Sequence, residues 1–406
     1  MLDGARMEGR LATLMAEVRD GHALPRGFYT DPDIYEHDIR SYWNQTWIWV
    51  GHVSQVREPG DFFRFDYGPE SVLVARDREG GIGAFLNVCP HRGSRVCAEA
   101  SGNRRVFSCP YHAWTFEMNG ALRVARQMGE GFDASAHGLR RLHLRVFEGM
   151  IFVSTADTPP DIETGLAALQ PHVAPFRMAE MQVAHEASYP VPANWKLAVE
   201  NYMECYHCAP SHVEYSRSHS LKDPEEMRAG LMEDMWSQSE AAGLTRDFRV
   251  GINGCGGSAV PLDFYGARYP LFDGFATGSR TGEAVAPLLG DLTAPVNAAT
   301  DMQVGLINNF LIYGDHVVGY RFIPRGLQET DIQVVWYVRQ GAREGVDYDL
   351  DTLTWLWHVT SLDDERIIRV NQEGVNSHHF VPGPLSEMEW GIRAFYAGYL
   401  SQIGAT

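Results

Sequence analysis

Two short stretches near residue 100 gather metal donors. Cys89 and His91 stand in Cys-Pro-His, and Cys109 and His112 stand in Cys-Pro-Tyr-His, with seventeen residues between His91 and Cys109. Each pair carries one thiolate and one imidazole. A four-ligand zinc site is the plain reading of two Cys and two His. Zinc fingers, however, place Cys-x-x-Cys ahead of a His pair on a helix, and here the donor types alternate. The alternation suits a [2Fe–2S] cluster with Cys89 and Cys109 on one iron and His91 and His112 on the other. Neutral imidazoles in place of two thiolates raise its potential. Pro90 and Pro110 stiffen both loops and remove an amide donor from each. Cys97, between the pairs, reads as buried filler.

A second group lies in Asn-Trp-Lys-Leu-Ala-Val-Glu-Asn-Tyr-Met-Glu-Cys-Tyr-His-Cys-Ala-Pro-Ser-His, residues 194–212. Read as a helix, it sets Glu204 one turn before His207 on the same face. His207 and His212, five apart, would sit about 140° around a continuous helix. Pro210 ends such a helix at or before Ala209, which lets His212 swing back. Two imidazoles and one carboxylate make the facial triad of a non-haem Fe(II) site with open positions. A lone His pair is more often structural; the one-electron donor encoded nearby favours the metal. Glu204 alone could equally be a surface residue.

The elements that must position these groups follow from local pattern. The first 25 residues and 31–47 read as helices, the second capped by Asp31 with Pro32 in the first turn. From Trp47 to about Thr155, short β-branched and aromatic runs broken by Gly and Pro predict antiparallel strands. An Asn119-Gly120 hairpin turn is among them, and both Cys/His pairs fall on loop tips. Beyond 155, residues 308–341 read as a hairpin-rich sheet and 347–377 as a long helix. Residues 213–300 have weak periodicity, and 251–261 reads as a flexible stretch able to carry a substrate loop.

The 406 residues allow two or three domains, and the formal charge, 34 − 52 = −18, disfavours nucleic acid and anionic membranes. It suits a basic redox partner or a cationic substrate, and solubility alone explains it as well. With no signal-like or spanning apolar run, the expected location is cytoplasmic. Six cysteines are no disulfide scaffold, and four of them lie in two His-containing stretches (Cys89, Cys109, Cys205, Cys208), which predicts metal binding over disulfides.

Taken together, Cys-Pro-His-Arg-Gly, Cys-Pro-Tyr-His-Ala-Trp and the 194–212 stretch resemble the α subunits of Rieske non-haem iron oxygenases. The resemblance is dense over 45–212 and resumes in the last sixty residues. It implies an α+β chain: N-terminal helices 1–45 packing on the catalytic domain, an all-β Rieske domain 46–155, and a catalytic domain 156–406 with an antiparallel sheet flanked by helices, of helix-grip type. It also implies that the third ligand to the mononuclear iron is Asp364, eight residues before Gln372 in Gln-Glu-Gly, with Asp363 and Glu365 as rivals. At Glu204 the family carries an acidic bridge, most often Asp, between an iron-ligand His and a cluster His of the neighbouring subunit. Here those would be His207 and His112, in a head-to-tail homotrimer that shortens an otherwise long electron path. A separate flavin/ferredoxin-type reductase would supply electrons from NAD(P)H, with O2 as co-substrate.

Glu in place of Asp at 204, Met-Glu-Cys-Tyr-His-Cys and the tail from 344 on are similar to the quaternary-ammonium branch, which comprises glycine betaine, carnitine and stachydrine oxygenases. The implied reaction is hydroxylation of an N-methyl group of a small betaine, with loss of formaldehyde. A trialkylammonium asks for aromatic faces. Tyr202, Trp236, Phe310, Tyr320 and Trp357 form the candidate pool, with Arg321 and Asn308 as guesses for a carboxylate. An aromatic ring-hydroxylating or O-demethylating oxygenase is the alternative, and a non-catalytic Rieske electron carrier is a third reading.

Overall fold

The computed structural model describes residues 2–219, 225–255 and 262–404. Backbone contacts divide the chain into two units, Trp47–Pro159 and the combination of Met1–Thr46 with Pro160–Thr406.

In the smaller unit every strand is short and antiparallel. Strands Ile82–Leu86, Glu70–Arg76, Asp61–Tyr67 and Ser101–Asn103 form one sheet in that order. Val106–Ser108, Thr115–Glu117 and Leu122–Val124 form a second, and Ile48–His52, Met150–Ser154 and His143–Phe147 a third. The Asn119-Gly120 turn joins Thr115–Glu117 to Leu122–Val124, with Gly120 at φ 85°, a conformation that costs glycine little. Phe62, Leu73, Phe85, Phe107, Trp114 and Phe116 close the core, and Cys97 is buried among them.

The larger unit is built on seven antiparallel strands. Their spatial order is Met181–Val191, Glu329–Arg339, Val317–Gly326, Asn308–Ile312, Ala298–Val304, Leu262–Pro270 and Arg249–Cys255. Residues 249–339 run as a meander of sequential antiparallel neighbours, interrupted by the long connection 271–297. The last two strands, with helix Glu225–Ala241, occupy the segment whose sequence periodicity is weak. Residues 256–261, most of the proposed substrate loop, lie outside the described residues.

Two helices cover this sheet. Trp195–Tyr202 starts at Asn194, whose side chain accepts from the Lys196 amide. Leu350–Val375 starts at Asp349, which accepts from the Thr352 amide. The long helix buries Leu353, Trp357, Thr360, Ser361, Ile368 and Gln372, a three-to-four-residue stripe that includes position 364. Gln372, buried, accepts the Asn194 amide on its Oε1 at 2.8 Å. The start of one site-bearing helix is thereby fastened to the other.

The N-terminal helices Leu2–Glu17 and Pro32–Asp38 belong to the same unit. Asp38 lies at the centre of a buried network. It accepts from Lys196 Nζ, from Trp195 Nε1 at 3.2 Å and from Tyr399 Oη at 2.5 Å. Lys196 also faces the Trp195 and Tyr399 rings. Burial draws the Lys196 pKa below its ordinary value, and Asp38 partly offsets this. Removing one member strands a buried charge, so Asp38→Ala is expected to lower the unfolding free energy by about 3–5 kcal/mol. Urea denaturation reads this directly; a loss below about 1 kcal/mol would show the network to be dispensable. Among the described residues no helix is long and apolar enough to cross a membrane.

Two candidate metal centres and an aromatic cavity

In the smaller unit the two Cys/His loops are built alike. Cys89 N–H donates to Ser94 O and Gly93 N–H to Cys89 O; Cys109 N–H donates to Trp114 O and Ala113 N–H to Cys109 O. The residue four after each Cys has positive φ, 75° at Gly93 and 57° at Ala113. For alanine this is an uncommon conformation, held by the loop closure. Cys89 and Cys109 are buried free thiols, and they interact with one another. Burial pushes the Cys89 thiol up. Cys109 lies below its ordinary value: burial opposes this, but the Tyr111 amide and the Cys89 thiol outweigh it.

The imidazoles of His91 and His112 are exposed, with ring centroids 4.6 Å apart. His91 stacks on Trp114 at 4.8 Å and His112 on Tyr111 at 4.0 Å. Two buried sulfurs below two exposed imidazoles fit a cluster with an inner thiolate-bound iron and an outer imidazole-bound iron. Cys97 takes no part: its Sγ donates to Glu99 Oε2 at 3.3 Å.

In the larger unit the helix ends at Tyr202, earlier than the helical reading of 194–209 requires, and Pro210 lies inside a separate short helix, Cys208–Ser211. The cause is Glu204. Its Oε2 accepts the amides of Tyr206 and His207, so the side chain competes with the backbone and closes a turn. Its Oε1 accepts from His207 Nδ1 at 2.6 Å. That bond fixes the tautomer and leaves the Nε2 lone pair of His207 free for a metal.

His207 Nε2, His212 Nε2 and Asp364 Oδ1 converge. They are separated by 3.1 Å between the two nitrogens, by 3.5 Å from His207 to Asp364 and by 3.0 Å from His212 to Asp364. Three ligands on one octahedral face with bonds of about 2.1 Å lie ~3.0 Å apart, so the spacing fits one small cation. Burial lowers the affinity of His207 for a proton, but hydrogen bonds to Asp364 and Glu204 overcome this and lift it to about 9. Burial raises Asp364, and its contacts with His207 and His212 more than reverse the effect. The group is thus organised around a positive charge, which a divalent ion would supply in place of the proton.

Of the two rivals, Asp363 points to the other side of His212, with Oδ2 3.5 Å from Nδ1, and Glu365 pairs with Arg369. The expectation of free sulfurs fails at one place: Cys205 and Cys208 are joined as a disulfide that spans His207. Their Cys-x-x-Cys spacing is the signal that could have pointed to it.

A cavity of about 380 Å³ opens at this triad. Its walls include Tyr202, Tyr215, Tyr269, Tyr320, Phe322 and Trp357. Of the expected aromatic pool, Tyr202, Tyr320 and Trp357 are present, whereas Phe310 and Trp236 are not. Strand parity explains Phe310: Leu311 lines the cavity, so its neighbour faces away. Asn308 and Arg321 are cross-strand partners on that far face; Asn308 donates to Val304 O, and Arg321 pairs with Glu186. Asp301, Thr360, Met388 and Trp390 also line the cavity, and none was singled out from sequence.

Comparison with known proteins finds a family model over part of each unit. The family model described as "Rieske [2Fe-2S] domain" matches residues 46–147, and "Ring hydroxylating alpha subunit (catalytic domain)" matches 178–274 and 307–405. The glycine betaine monooxygenase oxygenase subunit of Chromohalobacter salexigens is 34% identical over 402 residues, 96% of this chain and 87% of that protein. The carnitine monooxygenase oxygenase subunit of Escherichia coli K12 is 33% identical over 207 residues, 50% of this chain and 55% of that protein. Among solved structures, the quaternary ammonium Rieske monooxygenase CntA with L-carnitine has a TM-score of 0.68 at 22% identity, over 94% of this chain and 95% of that one. Naphthalene 1,2-dioxygenase with indole has 0.70 at 17%, over 96% and 93%. At these identities the structural likeness establishes the fold.

Proposed function

The chain belongs to the Rieske-type oxygenase α-subunit family, and from that premise we propose that it is the terminal oxygenase for N-demethylation of a small quaternary ammonium compound of the betaine type. The observation that carries the reading is the aromatic cavity opening directly at His207, His212 and Asp364. Aromatic faces attract a trialkylammonium, which has no N–H to donate. The glycine betaine and carnitine relatives support the same substrate class.

In this reading Cys89, His91, Cys109 and His112 hold the cluster, and His207, His212 and Asp364 hold the mononuclear iron. When bound, the cluster supplies single electrons and the iron supplies O2 activation. The residues of this chain do the rest. Glu204 holds the Nδ1 proton of His207 and keeps the ring aimed. The aromatic walls exclude water and turn one N-methyl group toward the triad. One N–CH3 with O2, NAD(P)H and a proton becomes N–CH2OH, water and NAD(P)+. The N–C bond then breaks to give the tertiary amine, formaldehyde and a proton.

A separate reductase delivers the electrons. In a head-to-tail homotrimer Glu204 would bridge His207 to His112 of the partner subunit. The test is reconstitution with iron, a reductase and a panel of glycine betaine, stachydrine and carnitine, scoring formaldehyde against O2 consumed. Stoichiometric formaldehyde from one betaine is expected. Turnover of aromatic acids to diols or phenols, with none from the betaines, would replace this reading by the aromatic one.

A further inference from the structure

One carboxyl group in the cavity has no role in either metal centre. Asp301 lies on strand Ala298–Val304, opposite Leu311 on one side and Ala267 on the other, so neither strand neighbour offers a polar side chain. Leu311 and Tyr269 line the cavity with it. Its Oδ1 is shut off from solvent and has no hydrogen-bond partner among the described residues. The Met302 amide pulls on the carboxyl group, but a carboxyl oxygen left without a partner in such a place is costly unless something else meets its charge.

The lining adds a second observation. Besides Glu204 and Asp364, Asp301 is the third acidic group of the wall, and no Lys or Arg is among the described lining residues. The groups that act electrostatically with Asp301 are the phenols of Tyr202, Tyr215, Tyr265 and Tyr269. These phenols titrate far above neutrality and supply no positive charge. A quaternary ammonium brings the missing charge and, lacking N–H, asks for no particular donor geometry. Aromatic faces and one enclosed carboxylate together make a receptor for such a cation.

Resting on the reading above, we infer that Asp301 is the counter-charge for the substrate's ammonium group and the residue that selects a cation over a neutral molecule of the same shape. It is a specificity-determining residue, distinct from the metal ligands. One consequence is measurable without turnover. In the empty cavity burial pushes the Asp301 carboxyl up to about 7, against the opposing pull of the Met302 amide. A permanent cation beside it restores the ionised form, so binding near neutral pH releases a fraction of a proton.

The experiment is anaerobic calorimetric titration of the metal-loaded enzyme with choline, tetramethylammonium and 3,3-dimethylbutan-1-ol, the uncharged carbon analogue of choline. Repeating it in buffers of different ionisation enthalpy counts protons. Choline is expected to bind at least about 10-fold more tightly than the alcohol and to release a fraction of a proton, whereas the alcohol releases none. Asp301→Asn is expected to weaken both cations about 10- to 100-fold, to leave the alcohol within about threefold and to abolish proton release.

Equal affinity for choline and the alcohol in the wild-type enzyme, binding of neither cation, or equal loss of cations and alcohol in the variant would each overturn the inference. The wild-type comparison stands even if the variant misfolds. Cation binding with this signature but no formaldehyde from any quaternary compound would refute the demethylation reading and keep Asp301. Formaldehyde production indifferent to Asp301→Asn would do the reverse.

Discussion

Glu204→Gln retains its cluster and its mononuclear iron yet loses about 10- to 100-fold in reductase-driven formaldehyde formation. The expectation follows from three contacts. Glu204 takes the His207 Nδ1 proton at 2.6 Å and closes the turn through the Tyr206 and His207 amides. Glutamine keeps one acceptor oxygen, which can still accept from His207 Nδ1 and hold the imidazole, while the Tyr206 and His207 amides lose their acceptor. The negative charge that strengthens the His207 bond disappears, and with it the proposed acidic link to His112 of the partner subunit. Stopped-flow absorbance separates the effects: reductase should reduce the cluster at the wild-type rate, while reoxidation in the presence of substrate and O2 slows. Wild-type reoxidation and turnover would remove Glu204 from the electron path; loss of iron would make it a structural residue only.

Asp364→Ala is expected to remove the mononuclear iron while the [2Fe–2S] absorption stays unchanged. Product formation should fall below detection, a loss of at least about 1,000-fold. The side chain sits on the buried stripe of helix Leu350–Val375, 3.0 Å and 3.5 Å from the two imidazole nitrogens. No neighbour can replace it, because Asp363 lies behind His212 and Glu365 is paired with Arg369. Without its carboxylate the pair of imidazoles loses the group that makes the site attractive to a cation. Loss of the bound ion and of the contacts with both imidazoles should lower the unfolding midpoint, while the unchanged cluster absorption reports that the fold is kept. Retained iron and activity would transfer the third-ligand role to Asp363.

What could be read from sequence depended on how local each signal was. The candidate cluster ligands sit within 24 residues, on loops whose Pro and turn residues dictate their own shape, and spacing alone points to all four. Asp364 is far from His212 in sequence, and only the resemblance to a family pointed to it. The amphipathic stripe of its helix then explains why a carboxylate there faces inward. The end of helix Trp195–Tyr202 was misplaced because Glu204 spends its side chain on two backbone amides, a competition that propensity does not register. Asn308 and Arg321 were good chemical guesses on the wrong face; in a sheet, one residue of parity decides the side. Asp301 lies just past the segment of weak periodicity, and its significance comes from an enclosed oxygen without a partner in three dimensions, which no linear pattern encodes.

The account depends on two different iron sites in one polypeptide, and elemental analysis addresses that most directly. Protein purified without oxygen and reconstituted with ferrous iron and sulfide should contain about three irons and two acid-labile sulfides per chain. The third iron should be lost selectively from Asp364→Ala. Zinc in place of iron, or two irons per chain that no ferrous supplement raises, would contradict the account and leave the aromatic cavity without an oxidant.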